Sequence, residues 1–277
     1  MNRYFFCFAL MTLLAGCVGQ PLKTTPMPPM TPAQLSEKVS ALLPADVLLL
    51  GEQHDAAEHQ QIHAEVVALL AQRGTLAAVA LEMADAGAST ARLQPSATEA
   101  QTQSALKWNN NAWPWAAYGP AVMAAVRAGV PVMGANLPRE QMRLKMLDAA
   151  LDGQLPGAAL KAQQQLIRSG HCNLLPESQI TPMTRIQIAK DISMANTLAS
   201  AVLPGKVAVL LSGSGHADRL LGVPQHLPAS LKVKAVRLRA GDAAADDKLE
   251  AFDAVWATPA LPEKDYCAEF KKQMGIK

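Results

Sequence analysis

The sequence predicts an α/β fold in which a mostly parallel sheet is flanked by helices and carries an inserted helical lobe. Four short runs are continuously apolar instead of alternating, which is typical of strands buried on both faces of a parallel sheet. They are residues 47–50, 76–81, 130–133 and 207–211. Stretches with helical spacing separate them, as in α/β domains. Residues 232–238 and 254–257 predict two further strands, with an acidic loop or exposed helix start over residues 242–250 between them.

The spacing of apolar residues predicts the helices. The first begins after Asp55, ends at Gly74 and packs one face on the sheet; this face carries His59, His63, Val66 and Leu70. A second helix is expected over residues 115–128. Residues 136–204 contain no strand pattern and are too long for one crossover helix, so they predict the helical lobe. Its three helices are expected over residues 136–151, 158–168 and 181–202.

The N-terminus predicts export and lipid attachment. Arg3 precedes an apolar run over residues 4–14 that is too short to span a bilayer, and small residues precede Cys17. We therefore expect residues 1–16 to be a lipoprotein signal peptide and Cys17 to be the lipidated first residue of the mature chain. Secretion without lipid, with Cys17 incidental, is the alternative. Residues 17–32 contain five prolines and predict an extended tether to a domain over residues 33–277.

Cysteine usage and charge narrow the class of protein. After processing, Cys172 and Cys267 are the remaining thiols, and an oxidising compartment favours one disulfide between them. Thiolate ligation of a metal or haem is the alternative reading.

The formal net charge is +2, and loss of Arg3 with the signal lowers it by one. With no basic stripe, this balance gives no reason to expect a nucleic-acid partner.

Two Gly-x-x-His motifs follow predicted strands. Gly51 begins the motif that ends at His54, and Gly213 begins the one that ends at His216. Ligands bind at the carboxyl ends of parallel strands, and glycine allows the sharp turn there. Glu52 and Glu82 lie at the same edge, and a buried acid needs a partner. We expect Glu52, His54, Glu82 and His216 to form one polar site. His59 and His63 could also chelate a metal, but their position on the packed helix face favours a core role.

Longer motifs in this order resemble the ChaN-like haem-binding lipoprotein family, within the superfamily of TraB proteins, Tiki proteins and erythromycin esterases. The resemblance extends from about residue 46 to 228. It rests on Leu50–His54, Leu81–Met83, Trp108, Trp113–Pro120, Gly134–Pro138, Gly170–Cys172, Met183–Ala195, Gly213–His216 and Gly222–Pro224. It implies an α/β core with a helical lobe, attachment to the outer membrane and a role in iron acquisition. It also implies a homodimer that holds haem between lobes, with tyrosine as the iron ligand, and haem-transport machinery as a partner.

Haem iron accepts tyrosinate, histidine, methionine or cysteine, and the porphyrin needs an apolar slot with cations for its propionates. Tyr118 and His171 are the ligand candidates, and Arg139, Arg143 and Arg185 are the propionate candidates. Tyr118 could equally pack with the nearby tryptophans as part of the core, and His171 could merely cap a helix. The lobe methionines, Met142, Met146, Met183 and Met194, favour core packing.

Two main functions remain open from the sequence. The first is a lipid-anchored protein of the cell envelope, most simply of the outer membrane, that binds haem for uptake, storage or relay. The second is a hydrolase in which the paired Gly-x-x-His site binds a divalent metal or acts as a general base. A third is a binding scaffold in which the histidine site has no function. Beyond haem iron, no metal is assigned to particular residues.

Overall fold

The computed structural model of the chain describes residues 27–241, 249–273 and 275. The predicted signal peptide (1–16), Cys17 and most of the tether lie outside these residues, as does most of the acidic stretch 242–250. The helices of the described part are α1 (Pro32–Leu42), α2 (Ala57–Gln72), α3 (Glu99–Ala105), α4 (Trp115–Arg127), α5 (Met142–Leu147), α6 (Gly157–Gly170), α7 (Glu177–Ala201), α8 (Ser214–Ala217) and α9 (Tyr266–Gln273). The strands are β1 (Val47–Glu52), β2 (Leu76–Asp85), β3 (Val132–Asn136), β4 (Val207–Gly213), β5 (Val233–Ala240) and β6 (Ala254–Thr258).

The six strands form one parallel sheet in the order β3-β2-β4-β1-β5-β6. The predicted α/β fold is confirmed, and all six predicted strands are present. Every residue of β1 and β4 is buried because helices cover both faces of the sheet, which is the reason for their continuously apolar sequences. In the described part of the chain, no helix combines the length and apolar character needed to cross a bilayer.

The register of the central strands brings the two glycine motifs together. Glu52 at the end of β1 is the partner of Gly213 at the end of β4. On the other side of β4, Leu81 of β2 pairs with Leu211, so Glu82 reaches the same edge. After β1 the chain passes β4 to form β2, and after β4 it passes β1 to form β5, so these two connections run in opposite directions along the sheet. The strand order therefore reverses between β1 and β4. Open α/β sheets bind ligands at such points.

The described part of the chain also contains four helices that the sequence patterns did not predict, namely α1, α3, α8 and α9. The start of α1 has a local cause. Thr31 Oγ1 accepts a hydrogen bond from the Gln34 amide (3.3 Å), and Gln34 Oε1 accepts one from the Thr31 amide (2.9 Å). Pro32 occupies the first turn, where a missing amide hydrogen costs nothing. The same reciprocal cap between Thr98 and Gln101 begins α3.

The helical lobe lies between β3 and β4, but two of its predicted helices have other bounds. The segment predicted as one helix over 136–151 contains α5 between two short 3₁₀ turns. It breaks at Asp148, whose extended backbone and carboxylate cap a new turn at Ala150 (3.2 Å). Helix α7 begins at Glu177 and continues through Pro182. The buried side chain of Ile180 holds this first turn against the protein, which offsets the hydrogen bond lost at proline.

Candidate functional site

The two motif glycines are required for close packing at the strand ends. A Cβ atom at Gly213 would lie 2.8 Å from His54 Nε2, and one at Gly51 would lie 2.7 Å from Ser214 Cα. Either distance is shorter than side chains tolerate. The glycines therefore let the chain segments of the two motifs approach each other directly, so that both histidines reach Glu82.

Glu52 is buried and accepts hydrogen bonds from three directions. Its Oε1 accepts from His54 Nδ1 (2.7 Å) and from the Tyr118 hydroxyl (2.7 Å), and its Oε2 accepts from Gln60 Nε2 (3.0 Å). Burial alone would raise the pKa of Glu52, but the hydrogen bond with His54 and the other donors hold it below its usual value. Glu52 is thus an ionised carboxylate, and both of its oxygen atoms already accept hydrogen bonds from neighbouring side chains.

Glu82 lies between the two motif histidines. Its Oε1 is 3.3 Å from His216 Nε2, and its Oε2 is 3.7 Å from His54 Nε2 and accepts the Gly213 amide at 2.7 Å. His216 Nδ1 in turn contacts Asp191 Oδ1 of α7 at 2.5 Å. The four predicted residues therefore form one polar site, and Asp191 joins it to the helical lobe.

The electrostatics of this site favour protonated histidines. Burial lowers the pKa of His216, but Glu82 and Asp191 outweigh it and raise the pKa to about 10. For His54, the hydrogen bond with Glu52 and the charge of Glu82 likewise outweigh burial and raise the pKa. At neutral pH His216 is therefore an imidazolium that holds two buried carboxylates together.

The structure does not support a divalent metal at the strand ends. Among residues 27–241 and 249–273, no group of three or more His, Cys, Asp or Glu side chains is arranged to hold a metal ion. The carboxylates instead face hydrogen-bond donors. The His59 and His63 pair has a core role, because both rings are buried. His59 accepts the Gln53 amide (2.9 Å) and contacts Thr258 Oγ1 (3.0 Å), and burial lowers its pKa to about 4.

Tyr118 is a poor fit for the iron-ligand role considered for it. The side chain is 2% exposed and packs edge-on against Trp113, and its hydroxyl donates to Glu52. Burial and the charge of Glu52 raise the pKa of the phenol, whereas iron requires the deprotonated form. The core alternative describes Tyr118 better, with the Glu52 carboxylate as its hydrogen-bond partner.

A cleft of about 550 Å³ lies above His54, whose side chain is 40% exposed. Trp113 and Pro114 line one part of it, and Lys264 and Tyr266 line another. Tyr266 comes from the C-terminal helix and donates a hydrogen bond to Asp55 Oδ2 (2.6 Å). His54 is therefore the one member of the polar site with substantial access to this cleft.

The helical lobe exposes an apolar surface next to cations. Leu144 is 70% exposed and Leu147 is 75% exposed, and their i, i+3 spacing places them on one face of α5. Arg139 and Arg143 are also exposed. Arg185 is not available in the same way: it binds Asp152 through Nε (2.8 Å) and Nη2 (2.6 Å) and the Met146 carbonyl through Nη1 (3.1 Å). Arg185 therefore stabilises the lobe, and Arg139 and Arg143 remain suitable for an anion.

His171 and Cys172 occupy the turn after α6, and Cys267 lies in α9. The His171 Nδ1–H donates to the carbonyl of Ile167 (2.7 Å), which leaves Nε2 with its lone pair. Cys172 forms a disulfide with Cys267, 95 residues later. The structure thus has these thiols bonded to each other instead of holding a metal or haem.

Three further residues belong to the polar site although no sequence pattern predicted them: Asp191, Gln187 and Gln60. Gln187 Nε2 lies 3.1 Å from His216 Nδ1. A signal for Asp191 does exist in the sequence, because it lies at helical spacing from Ile188, Met194, Ala195 and Leu198, which are all buried. An acid on the buried face of a helix requires a cationic or donor partner.

Comparison with known proteins agrees with this geometry. A family model described as "Haem-binding uptake, Tiki superfamily, ChaN" matches residues 39–227. Among solved structures, ChaN of Campylobacter jejuni, described with cofacial haem binding, is 26% identical with a TM-score of 0.65; the match covers 79% of this chain and 89% of that chain. The type III effector HopBA1 is 17% identical with a TM-score of 0.50, over 87% of this chain and 98% of that one, and shares the fold. No curated protein sequence gives a significant match.

The family match covers more than half of the chain and includes both glycine motifs, the polar site and the lobe. This protein therefore belongs to the ChaN family of haem-binding uptake proteins, within the Tiki superfamily.

Proposed function

We propose that this chain binds haem on its helical lobe and serves iron acquisition in the cell envelope, through uptake, storage or relay of haem. The observation that carries the proposal is the exposed face of α5, where Leu144 and Leu147 lie in solvent beside Arg143. Large exposed apolar side chains grouped on one face mark binding surfaces. A porphyrin is flat and apolar with two anionic propionates, so leucines and guanidinium groups together suit its chemistry.

His171 is the residue of the lobe that we propose as the iron ligand. Residues 136–204 contain no tyrosine and a single histidine. The Nδ1–H of His171 is held by a backbone carbonyl, which is the usual arrangement behind a metal-binding Nε2. If haem binds at this site, the chain carries iron in the form of haem. The chain's own contribution is the apolar face, the cations and a fixed imidazole, and a second copy of the chain in a homodimer would cover the outer face of the porphyrin.

The hydrolase alternative is weaker. A general base must be unprotonated at the working pH, whereas neighbouring carboxylates raise the pKa of both His54 and His216. His216 is also buried. The described residues offer no group of metal ligands that could activate water instead. We therefore assign the polar site a structural role, joining α7 of the lobe to the ends of β2 and β4.

We further propose that Cys17 is lipidated and anchors the chain to the outer membrane, where haem-transport machinery would exchange haem with it. The proposal rests on Cys17 directly after Leu14, Ala15 and Gly16. The full chain is expected to incorporate labelled palmitate and to sediment with membranes, and Cys17→Ser is expected to do neither. Equal labelling of both chains would contradict the anchor and leave haem binding unaffected.

Titration of the full chain with hemin tests the central function. We expect a sharpened Soret band that saturates, with a spectrum that changes in His171→Ala. Tyr118→Phe is the matched control: it should leave the spectrum unchanged and lower the free energy of unfolding by about 1–2 kcal/mol, because Glu52 loses one buried donor. No saturable change in the wild-type spectrum would contradict haem binding. Loss of the spectrum in Tyr118→Phe alone would contradict the choice of site.

A further inference from the structure

The C-terminal segment over residues 259–272 forms part of the cleft above His54. We call this segment the C-terminal strap. It follows β6 and contains Lys264 and Tyr266, both of which line the cleft. Trp113 and Pro114 also line this cleft. Displacement of the strap would therefore remove part of the cleft lining and make the remaining lining residues more accessible.

Apolar burial contributes little to holding the strap in place. Each of its residues is exposed or half-buried. Tyr266 donates a hydrogen bond to Asp55 (2.6 Å), and Phe270 contacts the His171 ring edge-on, with centroids 5.7 Å apart. Segments with little buried surface open readily when they are not otherwise fixed. The covalent bond from Cys267 to Cys172 is the firmest connection of the strap to the helical lobe.

We propose that the Cys172–Cys267 disulfide is a redox site that controls access to the cleft above His54. Cys267 is exposed and Cys172 half-buried, so a thiolate can reach the bond, and accessible disulfides are the labile ones. The reductant is a dithiol. Its first thiolate attacks one sulfur and forms a mixed disulfide, and its second thiol then displaces that sulfur. Two electrons and two protons convert Cys172 and Cys267 to thiols, and the reductant leaves as a disulfide.

Reduction leaves the strap connected to the fold through β6 and through exposed noncovalent contacts. The effective concentration of the strap over the cleft then falls, because a ring closed by the disulfide becomes an open chain end. The strap therefore narrows the cleft in the oxidised chain, and the cleft becomes wider and more accessible in the reduced chain. This inference concerns the strand-end cleft and does not depend on where haem binds.

Hydroxyl-radical oxidation of individual tryptophans tests the inference on the full chain. Trp113 lines the cleft, whereas Trp115 lies outside it and bonds Glu99 (2.8 Å), and Trp256 is buried. Three forms are compared by tandem mass spectrometry: the oxidised chain, the chain reduced with dithiothreitol without denaturant and then alkylated, and Cys172→Ser/Cys267→Ser. We expect Trp113 to be oxidised about threefold faster in the second and third forms, with Trp115 and Trp256 unchanged.

Three results would overturn the inference. These are resistance of the disulfide to dithiothreitol in the folded chain, equal Trp113 oxidation in all forms, and a parallel rise at all three tryptophans, which would mean general loosening of the fold. Tyr266→Phe in the oxidised chain provides the matched control. It removes one strap contact but keeps the disulfide, so its Trp113 rate should remain close to that of the oxidised wild type.

Discussion

Replacement of His216 by alanine is expected to lower the free energy of unfolding by about 3–5 kcal/mol, because it leaves two buried carboxylates without their cation. Glu82 would keep the Gly213 amide and the more distant His54 imidazole (3.7 Å) as partners, but Asp191 would lose the imidazole 2.5 Å away. Since Asp191 belongs to α7, the loss should also loosen the lobe on the sheet. Urea denaturation of wild type and variant measures the difference.

The pH dependence separates this charge effect from simple loss of packing. The pKa of His216 is raised from 6.5 to about 10 on folding, so its stabilising contribution is complete below pH 6.5 and disappears as the pH rises through about 10. The difference between wild type and His216→Ala should therefore shrink toward pH 10. His226→Ala is the control, because His226 is half-buried and burial lowers its pKa. This variant should lower the free energy of unfolding by less than about 1 kcal/mol. A pH-independent loss in His216→Ala would contradict the ion-pair account.

Replacement of both Leu144 and Leu147 by glutamine is expected to weaken hemin binding about a hundredfold. Full burial of a leucine contributes about 1.5–3 kcal/mol. A flat ligand covers one side of each leucine, so we take the lower figure, about 3 kcal/mol for the pair, and each 1.4 kcal/mol corresponds to a tenfold change in affinity. The two side chains are largely in solvent before haem binds, so folding should not change. Fluorescence or absorbance titration gives the dissociation constants, and circular dichroism checks the fold.

Leu203→Gln/Leu220→Gln is the matched control for the leucine pair. Leu203 is 48% exposed and Leu220 is 42% exposed, and both lie outside α5. We expect hemin affinity within about twofold of wild type for this variant, since scattered exposed leucines are ordinary surface residues. Equal weakening in both double variants would indicate nonspecific adsorption of hemin, and the α5 face would then no longer explain binding.

The sheet could be predicted from the sequence because burial on both faces leaves a local pattern. The runs at β1 and β4 are apolar at nearly every position. Because these strands are parallel neighbours, the residues that follow them, Glu52, His54 and His216, lie at the same edge of the sheet. The lobe was less predictable. The break at Asp148 depends on a side-chain cap, and the passage of α7 through Pro182 depends on burial of Ile180, and neither effect is visible in hydrophobic spacing alone.

The partners within the site could not be predicted from local patterns. Tyr118 binds Glu52 across 66 residues, and Asp191 reaches His216 from a helix of the lobe. These contacts depend on how helices dock on the sheet. They also changed the interpretation of two residues, because Tyr118 and Arg185 are both engaged in internal contacts. Arg139 and Arg143 are exposed and His171 is half-buried beside Phe270, so the roles proposed for these three residues stay predictions.

A crystal structure of the full chain with hemin tests the central claim most directly. We expect the porphyrin to lie against Leu144 and Leu147, with a propionate within hydrogen-bond distance of Arg139 or Arg143. Hemin found instead in the cleft beside Trp113 and Tyr266, with both leucines still in solvent, would contradict the lobe as the binding surface.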